Sequence, residues 1–204
     1  MRGVLITVEG VEGSGKTTQM RRLARWLTRQ GYPVEQTREP DGTPLGIAVR
    51  RLFERRPQPL AEMFLFLAAR HQHVAERLTP WLRRGRVVLC DRYTDATWAY
   101  QGGGHGVSGA LIGALERHVH DDCRPDLTIL FDVPPRVSRE RLERAQSHGR
   151  SLDKFEREDA SFTERVRAVY LERARAEPKR FRIVDSSRPQ DSVRDELARL
   201  VADA

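Results

Sequence analysis

The sequence predicts an α/β fold: a five-stranded parallel sheet covered by helices on both faces. Three observations carry that reading. Five short, apolar runs alternate with longer stretches of helical periodicity, and strands buried on both faces read as such continuous runs. The first run passes through a Gly-rich turn directly into an amphipathic helix. No internal repeat, linker or low-complexity segment divides the 204 residues, so one domain is expected over 1–204.

The elements follow in order. Val4 to Val8 is a β-branched run and reads as a buried strand. After the turn at 10–15, Met20, Leu23, Ala24 and Leu27 recur at i, i+3, i+4 and i+7, with Gly31 and Pro33 closing the helix. Val34 to Thr37 is a weaker strand, and 38–44 has the turn chemistry of a loop. Two helices are expected over about 45–56 and 60–84, separated by Pro57 and Pro59, the second with an apolar stripe at Leu60, Met63, Phe64 and Leu67. Val87 to Cys90 is a central strand ending at Asp91. Helix is expected over 95–122 around a Gly interruption at 102–106, then a strand at Leu127–Phe131. Residues 135–177 read as helical with a break near 146–153, and Phe181–Val184 as the fifth strand. Val193, Leu197, Leu200 and Val201 mark a last helix.

Composition narrows the function. No stretch reaches the roughly 20 apolar residues of a membrane helix, and the N-terminus enters the Gly-rich motif without a cleavage site. Two cysteines, Cys90 and Cys123, cannot build a disulfide framework, which fits a reducing cytoplasm. The net charge is +7, yet only Lys16, Lys154 and Lys179 are lysines. The arginines are scattered and interleaved with acids, a pattern of solvated faces and anionic ligands rather than of a nucleic-acid tract. No nucleic-acid or membrane partner is therefore expected.

Gly10-Val11-Glu12-Gly13-Ser14-Gly15-Lys16-Thr17 matches G-x-x-x-x-G-K-[ST] in full, between a strand and a helix. Glycines let backbone N–H groups converge on phosphate oxygens, and the helix adds its positive end. Lys16 reaches the terminal phosphates, and the Thr17 hydroxyl ligates Mg²⁺. Gly10 to Thr18 is thus the expected ATP-binding segment.

The reaction is set by other loops. Asp91-Arg92-Tyr93 ends the third strand; a carboxylate there can hold Mg²⁺ or cap the strand, and the adjacent guanidinium can meet a second anion. A hydrolase would more often place Asp-Glu there, so transfer to a second phosphate is favoured. Phe66 and Arg70 lie four residues apart on one helix face. A ring can stack on a base while an Arg fork grips a phosphate, although Phe66 on its own could equally be core.

With these residues in place, nearly the whole chain resembles the bacterial thymidylate kinase family, a P-loop, nucleoside-monophosphate-kinase-like fold. The likeness rests on Gly10–Thr18, Arg38-Glu39-Pro40-Asp41-Gly42-Thr43-Pro44, Phe66-Leu67-Ala68-Ala69-Arg70, Asp91-Arg92-Tyr93, Ala99-Tyr100-Gln101-Gly102-Gly103 and Arg124-Pro125-Asp126-Leu127-Thr128, in the family's order and spacing. It implies Mg²⁺-dependent transfer from ATP to dTMP, giving ADP and dTDP, and a homodimer. By the same resemblance Phe66 stacks on thymine, Arg70 holds the dTMP phosphate, and Arg92 positions the nucleotide. Thr97 and Gln101 meet the base, Tyr100 crowds the sugar 2′ position, Glu12 lies near the acceptor's sugar and phosphate, and Arg38 shapes the acceptor pocket.

The break near 146–153 resembles the family's lid, about 142–156, followed by Leu152-Asp153-Lys154-Phe155-Glu156. Such families place a transition-state arginine in the P-loop or the lid, and this P-loop has none. Arg141, Arg144 and Arg150 are the candidates, with Arg150 favoured. Lys16, Arg92 and Arg150 are then the expected catalytic set, with Thr17 and Asp91 on the metal. Three positions depart from the family pattern: Asp41 for Gly, Ala96 for a small hydroxyl residue, and His105 for Arg. The alternative reading is a P-loop kinase for another nucleoside monophosphate.

Overall fold

The computed structural model describes residues 2–120 and 123–202. All five predicted strands form: β1 (Val4–Glu9), β2 (Val34–Arg38), β3 (Val87–Asp91), β4 (Leu127–Asp132) and β5 (Phe181–Asp185). They pair in parallel in the order β2-β3-β1-β4-β5. The chain runs from β1 to one side for β2 and β3, then crosses to the other for β4. The order therefore reverses beside β1, and ligands of open α/β sheets bind at the carboxyl ends of such a switch point.

The helices are α1 (Lys16–Arg29), α2 (Pro44–Phe53), α3 (Pro59–His73), α4 (Thr79–Arg83), α5 (Thr94–Thr97), α6 (Gly109–His120), α7 (Pro135–Ser147), α8 (Ala160–Ala176) and α9 (Gln190–Ala202). Residues 121 and 122 of the helix expected over 95–122 lie outside the described residues. Prolines begin α2, α3 and α7, where a missing N–H costs nothing. The Thr43 hydroxyl caps α2 and the Asp159 carboxylate caps α8, accepting from the N–H groups of Gly46 and Phe162.

Met20, Leu23, Ala24 and Leu27 of α1 pack with Val193 and Leu197 of α9 on Ile6, Leu89, Ile129 and Phe131 of the sheet. Burying each large apolar side chain in that layer contributes about 1.5–3 kcal/mol. The opposite layer holds Leu130 with Phe162, Val166 and Tyr170 of α8.

One stripe is corrected. Met63 and Leu67 of α3 are buried, but Leu60 is 46% and Phe64 49% exposed. The inward face of α3 instead carries Glu62, Arg70 and His73 beside Met63 and Ala69. Apolar periodicity misplaces a face whose buried positions are polar. Beyond α5 the helix widens into a π-helical turn, Trp98–Gly104, which carries Tyr100 and Gln101; such turns recur at functional sites.

Candidate active site

The loop 10–15 closes over the end of β1. Gly10 has φ +139° and Gly13 φ +70°. A Cβ at Gly10 would stand 2.4 Å from the Phe131 carbonyl oxygen, and one at Gly13 2.8 Å from that of Ser138. Only glycine fits either position. Five consecutive loop carbonyls each have a donor. Lys16 Nζ donates to Gly10 O and Val11 O, both at 2.9 Å. Ser138 Oγ donates to Glu12 O at 2.7 Å, Arg141 Nη1 to Gly13 O at 3.3 Å, and Ser186 Oγ to Ser14 O at 2.8 Å. Helix α1 starts behind a left-handed Gly15 with no side-chain cap. Engaged carbonyls and an uncapped helix start leave N–H groups for an anion.

Lys16 is buried. Burial, reinforced by the Arg92 charge, brings its pKa down to about 8. Thr17 Oγ1 donates to Asp91 Oδ2 at 2.9 Å. Two hard oxygen ligands on neighbouring elements, in a cavity facing the phosphate loop, fit Mg²⁺.

The cavity at these strand ends measures about 520 Å³, the size of a small-molecule site. Seven lining side chains are Lys or Arg and five are Asp or Glu, a balance that suits an anion. Arg92 sits at φ +67°, an uncommon conformation for a side chain of this size. Its N–H donates to Val8 O at 3.0 Å. Its guanidinium donates to Gly10 O and Tyr170 Oη at 3.2 Å and to Tyr100 Oη at 2.9 Å, and pairs with Glu12. Burial opposes the Glu12 charge, but Arg92 and Lys16 outweigh it and hold the carboxyl below its usual range. Behind them Glu9 accepts from Tyr93 N and Tyr170 Oη, both at 2.7 Å. Burial, then the nearby Asp95 charge, pushes Glu9 up to about 7.

Arg70 is only 2% exposed. It donates to Glu39 Oε2 at 2.7 Å, Thr97 Oγ1 at 2.9 Å and Tyr93 O at 2.8 Å. A guanidinium has five N–H donors, so two remain for the cavity that Arg70 lines. Burial disfavours a charged Glu39, but Arg70 and His73 outweigh it and lower its pKa. Phe66 also lines the cavity and stacks on Phe53 with centroids 4.4 Å apart. Thr97, Tyr100 and Gln101 are buried on the same cavity, and Gln101 Nε2 donates to Glu62 Oε1 at 2.9 Å. Arg38, at the rim, lies 3.4 Å from Asp41.

The segment after α7 completes the wall. Arg150 lines the cavity and pairs with Glu156. Asp153 lies 3.8 Å from Arg50, and Phe155 has ring centroids 6.2 Å from Phe66 and 5.4 Å from Tyr100. Arg141 also lines the cavity, with its donors on Gly13 O, Ser14 O and Ser186 O. Arg144 is exposed and does not line it.

Every expected site residue from Glu12 to Gln101, and Arg150, thus lines or borders one cavity. Other contributors carry little sequence signal. Ser138, Ser186 and the loop-binding role of Arg141 come from segments over 120 residues away from the motif they hold. Glu9 did leave a trace, as an acid closing an otherwise apolar strand. At the departures, Asp41 does not adopt positive φ and instead accepts from Arg50 Nε at 2.6 Å. Ala96 lines the cavity, and His105 Nε2 lies 3.5 Å from Glu62 Oε1.

Residues 8–197 match the family model described as Thymidylate kinase. A thymidylate kinase of Pseudomonas syringae is 52% identical over 191 residues, covering 92% of this chain and 89% of the relative. One of Bordetella pertussis is 50% identical, covering 96% and 93%. The crystal structure of thymidylate kinase from Ehrlichia chaffeensis superimposes with a TM-score of 0.81 at 32% identity, over 99% of both chains. A matched family model, close relatives and a shared fold together place the chain in the thymidylate kinase family.

Proposed function

We propose that this chain transfers the γ-phosphoryl group of ATP to dTMP, giving ADP and dTDP. One observation carries the reading beyond family membership: the phosphate loop and two already hydrogen-bonded arginines, the buried Arg70 and the half-buried Arg92, line a single cavity. Such a cavity would bring a donor phosphate and an acceptor phosphate together.

The acceptor's phosphate oxygens are ionised, so catalysis here is alignment, charge compensation and exclusion of water rather than proton removal. Lys16 leaves the carbonyls of Gly10 and Val11 for the donor's terminal phosphates. Arg92, fixed by Glu12, Tyr100 and Tyr170, orients the acceptor phosphate in line. Arg70 gives its two remaining donors to the same nucleotide, and Arg38 closes the rim. Phe66 stacks on the base, Thr97 and Gln101 meet its edge, Tyr100 crowds the sugar 2′ position, and Glu12 approaches the sugar. Thr17 and Asp91 would hold Mg²⁺, which when bound neutralises phosphate charge. Residues 142–156 form the lid. Arg150 exchanges Glu156 for the migrating phosphoryl group, while Phe155 shields the site from water.

The exposed Leu60 and Phe64 of α3, with Leu45, Ile47 and Leu52 of α2 and Leu111 of α6, give the homodimer an apolar face to cover. No helix among the described residues is long and apolar enough to cross a membrane, and a cytoplasmic site of action fits the two free, buried cysteines. The test is ADP release with Mg-ATP across a panel of nucleoside monophosphates. The highest kcat/KM is expected for dTMP; a higher value for another monophosphate transfers the reading to that acceptor.

A further inference from the structure

The carboxylate of Glu62 is a feature the reaction scheme does not use. It lies in the first turn of α3 and is 0% exposed. A buried carboxylate needs partners, and Glu62 draws them from two sides. Its Oε1 accepts from Gln101 Nε2 at 2.9 Å and lies 3.5 Å from His105 Nε2. Its Oε2 pairs with Lys154, one of only three lysines in the chain.

The Gln101 contact has a chemical consequence. An ionised carboxylate only accepts, so the Gln101 amide must turn its NH₂ toward Glu62. Its Oε1 then has no protein partner among the described residues. At the cavity wall that oxygen is an acceptor, and it suits a base edge with a ring N–H donor. A 2,4-dioxopyrimidine has one; cytosine presents a bare ring nitrogen there and would face oxygen against nitrogen, acceptor against acceptor.

The Lys154 contact adds a second consequence. Lys154 follows Asp153, which reaches Arg50 of α2, and precedes Phe155, which meets Phe66 and Tyr100. Three consecutive residues thus engage three parts of the acceptor wall. When the segment withdraws, Glu62 loses its ammonium partner, and the group that orients Gln101 is left buried without its counter-charge.

We propose that Glu62 is a specificity-determining positioning residue, and that the Lys154–Glu62–Gln101 relay couples closure of the 142–156 segment to reading of the acceptor base. The proposal rests on the placement of Gln101 against the base, so the experiment separates the two.

Steady-state kinetics with dTMP and dCMP would be measured for Glu62→Gln, Lys154→Met, Lys154→Arg, Gln101→Leu and the double variant Glu62→Gln/Lys154→Met. Glu62→Gln, which frees the amide to flip, is expected to lower the dTMP:dCMP ratio of kcat/KM by about tenfold or more. Lys154→Met should raise KM for dTMP by about tenfold while KM for ATP moves less than about threefold. Lys154→Arg should restore most of that loss. The double variant should be little worse than the worse single one, because both break one relay. A merely structural role would not move the base ratio, nor split the two KM values. Should Glu62→Gln fail to fold, Lys154→Met, altered at the outer partner of the pair, still decides. If folded Lys154→Met keeps the wild-type KM for dTMP and the wild-type base ratio, the relay is overturned although the base reading stands. If Gln101→Leu leaves the base ratio unchanged, the placement of Gln101 and the relay fall together.

Discussion

The two halves of the cavity, proposed above for the donor and the acceptor, are built by different rules. The donor half is local: Gly10 to Thr18 supplies the backbone cradle, the cation and the hydroxyl from nine consecutive residues. The acceptor half is assembled from β2, α3, the end of β3, the π-helical turn and the segment after α7, so each side chain is placed by its partners. The charges differ too. Arg70 is buried and Arg92 half-buried, each already in an ion pair, with Glu39 and with Glu12, before any ligand arrives. Lys16 is buried against backbone carbonyls, with no carboxylate in hydrogen-bond contact. The acceptor half is therefore preorganised by ion pairs, whereas the donor half holds its cation on bonds that a phosphate displaces.

That contrast predicts which substitutions stop chemistry and which only loosen binding. Lys16→Ala removes the only cation of the donor loop itself. It should lower kcat by about 10³-fold while circular dichroism stays native. Near-normal turnover would mean that the donor half works through backbone alone. Arg150→Ala comes next, with an expected loss of about 10²- to 10³-fold in kcat and little change in either KM. Arg144→Ala, at an exposed site, should stay within about threefold of wild type, the scale of a surface charge. Arg141→Ala should act mainly on KM for ATP, since its donors hold the loop. Full loss in Arg141→Ala with normal turnover in Arg150→Ala would reverse the two roles.

Legibility in the sequence follows the same division. The phosphate loop was readable because its chemistry depends on glycines and one lysine at fixed local spacing. All five strands were readable because a sheet covered on both faces demands uninterrupted apolar runs. The face of α3 was not: its inward positions are Glu62, Arg70 and His73, so the hydrophobic pattern pointed to Leu60 and Phe64. The partners that give Arg70 and Arg92 their geometry, Thr97, Tyr93, Tyr100 and Tyr170, lie 8 to 78 residues along the chain from them, with no spacing rule to reveal them. The residues proposed for the acceptor were drawn from the family resemblance, not from periodicity.

A smaller effect sharpens the acceptor side of the comparison. Phe66→Leu keeps apolar bulk against Phe53 and removes the π face. Base stacking is worth about 1–3 kcal/mol, so KM for dTMP should rise about five- to hundredfold. KM for ATP should stay within about twofold. Equal changes in both would make Phe66 a packing residue of α3 rather than a base platform.

The smallest effect is a pH dependence that should appear in one half of the cavity and not in the other. Burial and Arg92 bring Lys16 down to about 8 in the ligand-free protein. Burial works against the charge of Arg92 as well, but Glu12 outweighs it and keeps the guanidinium protonated. Below pH 8 Lys16 is an ammonium and ATP meets it ready charged. Above pH 8 the free site holds a neutral amine, and ATP must bind with uptake of one proton. The sign is fixed: ATP affinity should fall with rising pH, approaching about tenfold per unit, because one proton is linked to binding. Affinity for dTMP should stay level between pH 8 and 9, where its arginines do not titrate and Glu9, at about 7, is already ionised. Calorimetric titrations in buffers of different ionisation enthalpy would read the proton uptake directly. Lys16→Arg supplies the control, because a guanidinium remains charged and should flatten the ATP profile even if turnover is poor. A level ATP profile in the wild type would mean that Lys16 keeps its proton in the empty site. A falling dTMP profile would mean that the acceptor arginines are not held as their ion pairs indicate.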